Sequence, residues 1–282
     1  MKEVYINKKT KNYHPFSFLI RIAVYISALI TIGTVLFLLG YIFINGIPHL
    51  KMELFQLENT TSNNSMLPAI INTFLLLGIT LLLSVPLGVS SAIYMVEYAK
   101  KNNLFIRLIR LTTETLAGIP SIVYGLFGYL AFVIALGWQN SLIAGAVTMA
   151  IMVLPLIIRT TEEALLSVPD SFREGSYGLG AGKLRTIFTI ILPSALPGIL
   201  AGAILSAGRI IGETAALIFT AGTISEVPSS PFAPAATLSV HMYSLLNEGL
   251  HTEEAYSAAV VLIILIFIIN CLINTIKHRK ER

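Results

Sequence analysis

Charged side chains are scarce in this sequence. Aspartate, glutamate, lysine and arginine make up 12% of its 282 residues, whereas a soluble globular domain usually carries about 25%. Apolar residues make up 55% and occur in long uninterrupted runs, which are typical of membrane spans. The sequence therefore predicts an integral membrane protein with lipid around it. Its formal charge of +4 does not indicate nucleic-acid binding.

Cysteine and the usual signs of catalysis are also nearly absent. Cys271 is the single cysteine, so no intramolecular disulfide can form. The five histidines are scattered over termini and loops, without the spacing of metal ligands. The segment GLGAGK lacks two required residues of a phosphate-binding loop, since Tyr177 and Leu184 occupy their positions. The sequence thus predicts no metal, no cofactor and no nucleotide site. We expect a protein that is not an enzyme and leaves ATP hydrolysis to a partner.

Six apolar runs are long enough to cross a bilayer, which needs about 20 residues. All lysines and arginines except Lys51 and Arg209 then fall on one side of the membrane, which predicts that both termini are cytoplasmic. The predicted outer loops are acidic. Within the last of them, ATLSVHMYSLLNEG has helical spacing and predicts a short helix. The predicted spans cover about residues 18–44, 69–96, 116–136, 141–158, 187–221 and 256–276.

These spans divide the chain into a first helix and a larger core. The predicted segments are a cytoplasmic tail at 1–17, the first span with its outer loop at 18–65, a permease core at 66–276 and a cytoplasmic tail at 277–282. Within the core we expect a cytoplasmic coupling loop at 159–186 and an outer loop at 222–255.

The loop between the fourth and fifth spans has a recognisable spacing. It resembles the E-A-A-x3-G-x9-I-x-L-P loop of permease subunits in bacterial ABC importers, with E-G-S in place of E-A-A. Such a loop would fit a groove on a separate motor subunit and transmit its movement, and glycines allow the tight turn that this needs. A solvated basic loop is the alternative. The residues expected to couple to the ATPase are Glu174, Gly175, Ser176, Gly180, Ile190, Leu192 and Pro193.

The fifth span carries two charges, Arg209 and Glu213, which would project from one face of a continuous helix. Burying either charge alone in lipid costs at least about 2.5–3.5 kcal/mol, so both should face a protein-lined interior. A guanidinium there favours an oxyanion, with the glutamate positioning it or accepting from a protonated substrate oxygen. A purely structural salt bridge is the alternative. Two G-x3-G spacings predict close helix packing at Gly198, Gly202, Gly208 and Gly212.

Three blocks, RIIGETAALIFTAG, AGIPSIVYGLFGY and LPLIIRTTEEALLSVPDSFREGSYGLGA, resemble the A-type permease subunit of phosphate-specific ABC importers. The resemblance covers about residues 66–276. It implies an all-α type I importer permease with six transmembrane helices in the bacterial plasma (inner) membrane, and Arg159 as a second pathway arginine beside Arg209 and Glu213. It also implies a heterodimer with a C-type sister permease, two ATP-binding subunits and an extracytoplasmic phosphate-binding protein. The alternatives are an ABC permease for sulfate, molybdate or phosphonate, a secondary anion transporter, or a membrane scaffold.

Overall fold

The computed structural model describes residues 15–57, 64–99, 104–249 and 251–280. Residues 1–14 of the predicted N-terminal tail, Glu58, and the predicted cytoplasmic Lys100 and Lys101 lie outside these ranges. The described regular structure is helical, as predicted. Its helices are α1 (Pro15–Gly46), α2 (Leu67–Ile93), α3 (Leu104–Ala117), α4 (Ser121–Gly128), α5 (Leu142–Leu166), α6 (Asp170–Gly178), α7 (Lys183–Thr186), α8 (Leu192–Gly212), α9 (Ala215–Thr220), α10 (Leu238–Glu248) and α11 (Thr252–Lys280).

Several of these helices are continued by π-helical turns. Tyr94–Tyr98 extends α2, Tyr129–Ala135 extends α4, and Ile187–Ile191 joins α7 to α8. With these turns included, five described stretches are long and apolar enough to cross a membrane. The bent pair Leu104–Ala117 and Ser121–Ala135 makes six if it counts as one span. The prediction of an all-α multi-pass membrane protein is confirmed.

Helix α5 is the centre of the bundle. It packs against α2 on one side and α8 on the other, and most of its apolar window is buried. Ser141 starts the helix, because its Oγ accepts a hydrogen bond from the Ala144 backbone N–H at 3.3 Å. By contrast, α1 lies at the edge, packs on α11, and exposes its apolar side chains along its length.

Two predicted spans differ from the structure. The third does not run straight through 116–136, because α3 and the α4 segment meet at an angle of 103°. The fifth is not continuous over 187–221, because α8 ends at Gly212 and α9 begins at Ala215. In addition, α5 continues to Leu166, so the first part of the predicted loop 159–186 is helical. Hydropathy alone does not reveal these breaks, because the interruptions at residues 118–120 and 213–214 are short and apolar runs continue beyond them.

The chain between α9 and α11, here called the 222–251 loop, is tied to the bundle. It contains the predicted short helix as α10, at Leu238–Glu248. The Asn72 side-chain amide on α2 donates to the backbone carbonyls of Glu226 at 2.8 Å and Ala236 at 3.1 Å. Thr73 Oγ1 accepts from the Leu238 backbone N–H at 2.9 Å. The start of α2 therefore holds both sides of the loop.

Candidate functional site: a charged cavity and a projecting helix

Three helices line a cavity of about 270 Å³, here called the arginine cavity. Helix α8 contributes Arg209, and α3 contributes Thr113, Glu114 and Ala117 from adjacent positions on one face. Helix α5 contributes a stripe with helical periodicity. That stripe consists of Met152, Pro155, Leu156, Arg159, Thr160 and Glu163. The structure thus brings Arg159 and Arg209, which are far apart in the chain, to one site.

The two cavity arginines differ in their partners. Arg159 donates from Nε to Glu163 Oε1 at 3.1 Å, and both side chains are 64% exposed. Its two terminal nitrogens have no hydrogen-bond partner within the described part of the chain. Arg209 is half-buried and forms no ion pair with any described residue. Both guanidinium groups can therefore donate hydrogen bonds to an oxyanion in the cavity.

Glu213 lies elsewhere, and the expectation that one helical face carries Arg209 and Glu213 is wrong. Helix α8 ends at Gly212, and Glu213 has an extended backbone with φ −76° and ψ 128°. Its side-chain Oε1 accepts from the Ala216 backbone N–H at 3.1 Å, which satisfies a donor at the start of α9. Its backbone carbonyl accepts from Ser239 Oγ at 2.6 Å. Glu213 thus joins α8, α9 and the 222–251 loop and is not part of the cavity lining.

The sequence reasoning missed the acidic side of the cavity. Glu114 and Glu163 line it together with the arginines. The spacing of Arg159 and Glu163, four residues apart on a helix, could have indicated an ion pair. Nothing in the sequence around Glu114 places it there, since its position depends on the fold of α3 back onto α5. An ion pair between Arg110 on α3 and Glu162 on α5 joins these two helices.

The glycines of α8 fall into two groups. A methyl group at Gly202 would lie 2.0 Å from Thr160 Oγ1, and one at Gly198 would lie 2.6 Å from Ala164 Cβ. These two glycines therefore allow α8 to approach α5 closely. Gly208 and Gly212 have open space where a Cβ would be, within the described residues. The close packing predicted at Gly208 and Gly212 is therefore not seen within the described part of the chain.

The second candidate element is the coupling segment, residues 170–186, which contains α6 and α7. Ser176 is buried, and its Oγ lies 2.8 Å from Thr186 Oγ1, which fastens α6 to α7. Gly180 has a φ of +80° in the turn between them, a conformation that favours glycine. Glu174, Gly175 and Gly180 are exposed. Leu179, which the sequence reasoning did not select, is 91% exposed at the tip.

The remaining residues predicted for coupling lie on the following helix. Ser176, Gly180 and Ile190 line one hollow of about 330 Å³ beside the segment. Leu192 and Pro193 form the first turn of α8. Pro193 has no N–H to donate to the preceding turn, and the wider π-helical turn Ile187–Ile191 directly precedes α8. The residues of the predicted motif therefore lie partly on the coupling segment and partly at the start of α8.

A buried ion pair anchors the coupling segment to the bundle. Arg173 on α6 donates from Nε and one terminal nitrogen to Glu97 Oε1, at 3.0 and 2.9 Å. It also donates to the backbone carbonyls of Val168 and Leu165 at the end of α5. The side chains of Arg173 and Glu97 are only 14% and 5% exposed. Arg173 therefore links α6 to the ends of both α2 and α5.

Long apolar helices around a charged cavity, with short exposed helices between two of the spans, are the features expected of a membrane transport protein. The family model described as "Binding-protein-dependent transport system inner membrane component" matches residues 84–282. The chain belongs to this family. It is a multi-pass inner membrane component of a transporter and not an enzyme.

Similar proteins narrow the class to permeases of ABC importers. "Probable ABC transporter permease protein YqgI" of Bacillus subtilis is 37% identical over 251 residues, covering 83% of this chain and 85% of that protein. "Phosphate transport system permease protein PstA 1" of Mycobacterium tuberculosis is 36% identical over 220 residues, covering 76% and 71%. "Phosphate transport system permease protein PstA" of Haemophilus influenzae is 34% identical over 225 residues, covering 78% of each chain.

Solved ABC importers share the fold. The MetNI methionine ABC transporter in an inward-facing conformation matches with a TM-score of 0.62 and 21% identity, covering 76% of this chain and 94% of that chain. The bacterial alginate ABC transporter in complex with its periplasmic protein matches with a TM-score of 0.69 and 18% identity, covering 94% of each. The chain therefore has the type I ABC importer permease fold. The predicted ABC permease class is confirmed.

Proposed function

We propose that this chain forms half of the translocation pathway of an ATP-driven importer of inorganic phosphate. The observation that carries the proposal is the arginine cavity, where Arg159 and Arg209 have terminal nitrogens without partners in the described structure. A planar guanidinium suits the oxygens of phosphate, which it can bind through two parallel hydrogen bonds. The similarity to phosphate transport permeases from two organisms supports the same substrate.

The proposed assembly contains four kinds of subunit. A C-type sister permease would complete the cavity, and two ATP-binding subunits would each receive a coupling segment from one permease. In this chain, Leu179 and Glu174 would contact the ATPase, because both are exposed on the projecting segment. An extracytoplasmic phosphate-binding protein would deliver the ion to the face that carries the 222–251 loop. Glu213 would keep a supporting role, since it holds that loop to the end of α8.

The test is labelled-phosphate uptake by cells that lack their own high-affinity system and express the complete set of subunits. We expect Arg209→Lys and Arg159→Lys to lower uptake by about tenfold or more, because lysine keeps the charge but loses the planar fork. Arg107→Lys is the matched control, since Arg107 is an exposed residue of α3 outside the cavity. Co-purification of the ATPase subunit shows that each variant assembles.

Two outcomes would contradict the proposal. Uptake unchanged in both cavity variants would mean that the arginines do not contact the substrate. Uptake of labelled sulfate or molybdate in place of phosphate, through the same assembly, would assign the chain to another oxyanion.

A further inference from the structure

The arginine cavity holds a carboxylate without a partner. Of its two glutamates, Glu163 accepts from Arg159 Nε, whereas Glu114 forms no hydrogen bond or ion pair with any residue that the structure describes. Glu114 lies on α3, across the cavity from the α5 stripe that carries Arg159. Its oxygens are therefore available to whatever occupies the cavity.

An ionised carboxylate favours a nearby anion only if that anion can donate a hydrogen bond to it. It only accepts hydrogen bonds, so it would repel an oxyanion without a proton at close range. An oxyanion that carries an O–H would instead donate it to the carboxylate while its other oxygens face the arginines. Hydrogen phosphate has such a hydroxyl at neutral pH, and sulfate has none.

We propose that Glu114 is a specificity-determining residue, which admits oxyanions that carry a hydroxyl and rejects those that are fully ionised. This inference rests on the proposed function, since it assumes that the cavity receives phosphate. It adds a selection step inside the membrane, because discrimination works both by attraction to the right ion and by repulsion of the wrong one. Neither arginine could make this distinction, since a guanidinium attracts both kinds of anion.

The test uses the purified complex of the two permeases and the two ATP-binding subunits in lipid nanodiscs, without the binding protein, so that no upstream selection intervenes. Binding of labelled phosphate is measured at neutral pH in competition with sulfate and with monofluorophosphate, a dianion in which fluorine replaces the hydroxyl. In the wild type we expect neither sulfate nor monofluorophosphate to displace the labelled phosphate. In Glu114→Gln, whose amide can donate to an ionised oxygen, we expect each to compete at least about tenfold better relative to phosphate.

Two further variants act as controls. Glu114→Asp keeps the carboxylate and should still reject sulfate. Glu248→Gln removes the same charge from an exposed position on α10, outside the cavity, and should behave as the wild type. Co-purification of all subunits and a single peak in size-exclusion chromatography establish that each complex is intact.

The outcomes separate this inference from the proposed function. If the wild type binds phosphate and sulfate competes equally in wild type and Glu114→Gln, whether well or poorly, the role of Glu114 is refuted and the phosphate assignment stands. If the wild-type complex binds no phosphate and carries none in the uptake assay, both fail together.

Discussion

Arg159 and Arg209 present their guanidinium groups to one cavity in different electrostatic states. Arg159 is partly neutralised by Glu163, whereas Arg209 has no acidic partner within the described residues. Under the proposed function, the two arginines would hold the anion differently. Arg209 would bind it with an unpaired charge, and Arg159, whose charge Glu163 partly offsets, would bind it more weakly at a more exposed position.

Glu163 should accordingly set how fast the ion is released. Replacing it by glutamine keeps the shape and removes the negative charge, so phosphate would be held more tightly by Arg159. An exposed ion pair contributes about 1 kcal/mol or less, so we expect the dissociation constant of phosphate to fall by up to about fivefold. Maximal transport should fall with it, because tighter ground-state binding slows release. Binding to nanodisc complexes and uptake into proteoliposomes measure the two effects.

Glu248→Gln is the control for this prediction. Glu248 is an exposed glutamate of α10 outside the cavity lining, so its replacement removes the same charge without touching the cavity. Weaker or unchanged phosphate binding in Glu163→Gln, or the same increase in Glu248→Gln, would disprove the assigned role.

His241 makes the 222–251 loop sensitive to acid. Burial lowers the pKa of His241 below its ordinary value of 6.5, and its Nδ1 lies 2.7 Å from Ser225 Oγ. The imidazole is therefore neutral in the folded loop, while the unfolded loop takes up a proton below about pH 6.5. The stability of the loop is complete above that pH and is lost as the pH falls toward the lower, folded pKa.

We expect the melting temperature of the complex to fall between pH 7.5 and pH 5.5 by several degrees more in the wild type than in His241→Gln. Glutamine can still bond to Ser225 but does not titrate. An equal fall in the two proteins would locate the acid sensitivity elsewhere.

At the scale of elements, an ion pair holds the coupling segment to the bundle, whereas the membrane helices pack mainly through apolar side chains. Arg173 joins α6 to Glu97 at the end of α2 and to two carbonyls at the end of α5. A movement of α6 must therefore displace both of these membrane helices or break the buried pair. Leaving one partner of a buried ion pair without the other costs about 3–5 kcal/mol, so this link is stiff.

Glu97→Ala should therefore uncouple the transporter. We expect the ATPase subunit still to co-purify, but the number of phosphate ions carried per ATP hydrolysed to fall several-fold, because α6 no longer moves with α2. Asp170→Asn is a matched control on the same arginine, since Asp170 also pairs with Arg173 but is 83% exposed. A coupling ratio that stays normal in Glu97→Ala would show that the pair serves only folding.

At the scale of the whole molecule, the long apolar spans, α10 and the projecting segment could be predicted from the sequence. Each depends on local features: apolar length, helical periodicity, and glycines at a turn. The break after Gly212 could not be seen in the same way. Gly212 and Thr214 have low helix propensity, but the apolar residues on both sides favoured the prediction of one continuous span.

The cavity could not be predicted from local sequence patterns. Glu114 reaches it because α3 meets the α4 segment at 103° and is fixed to α5 by the pair of Arg110 and Glu162. Angles between helices depend on packing across the bundle, and no local pattern encodes them. The sequence could therefore identify Arg159 and Arg209 as unusual, but it suggested Glu213 as the partner of Arg209. Glu213 is near Arg209 in the chain, whereas Glu114 and Glu163 are the carboxylates that share its cavity.

The charges that line the cavity also affect how fast other ions leak through the transporter. This chain contributes equal numbers of arginines and glutamates to the lining. With two arginines and two glutamates, the lining that this chain contributes carries no net formal charge. Chloride, which is abundant and has no hydroxyl, would then gain little by entering during idle cycles. We expect vesicles that carry the Glu114→Gln, Glu163→Gln double variant to leak chloride faster than wild-type vesicles, as reported by a halide-sensitive dye inside them. Equal leak rates would mean that a barrier other than charge keeps the resting transporter closed to passing ions.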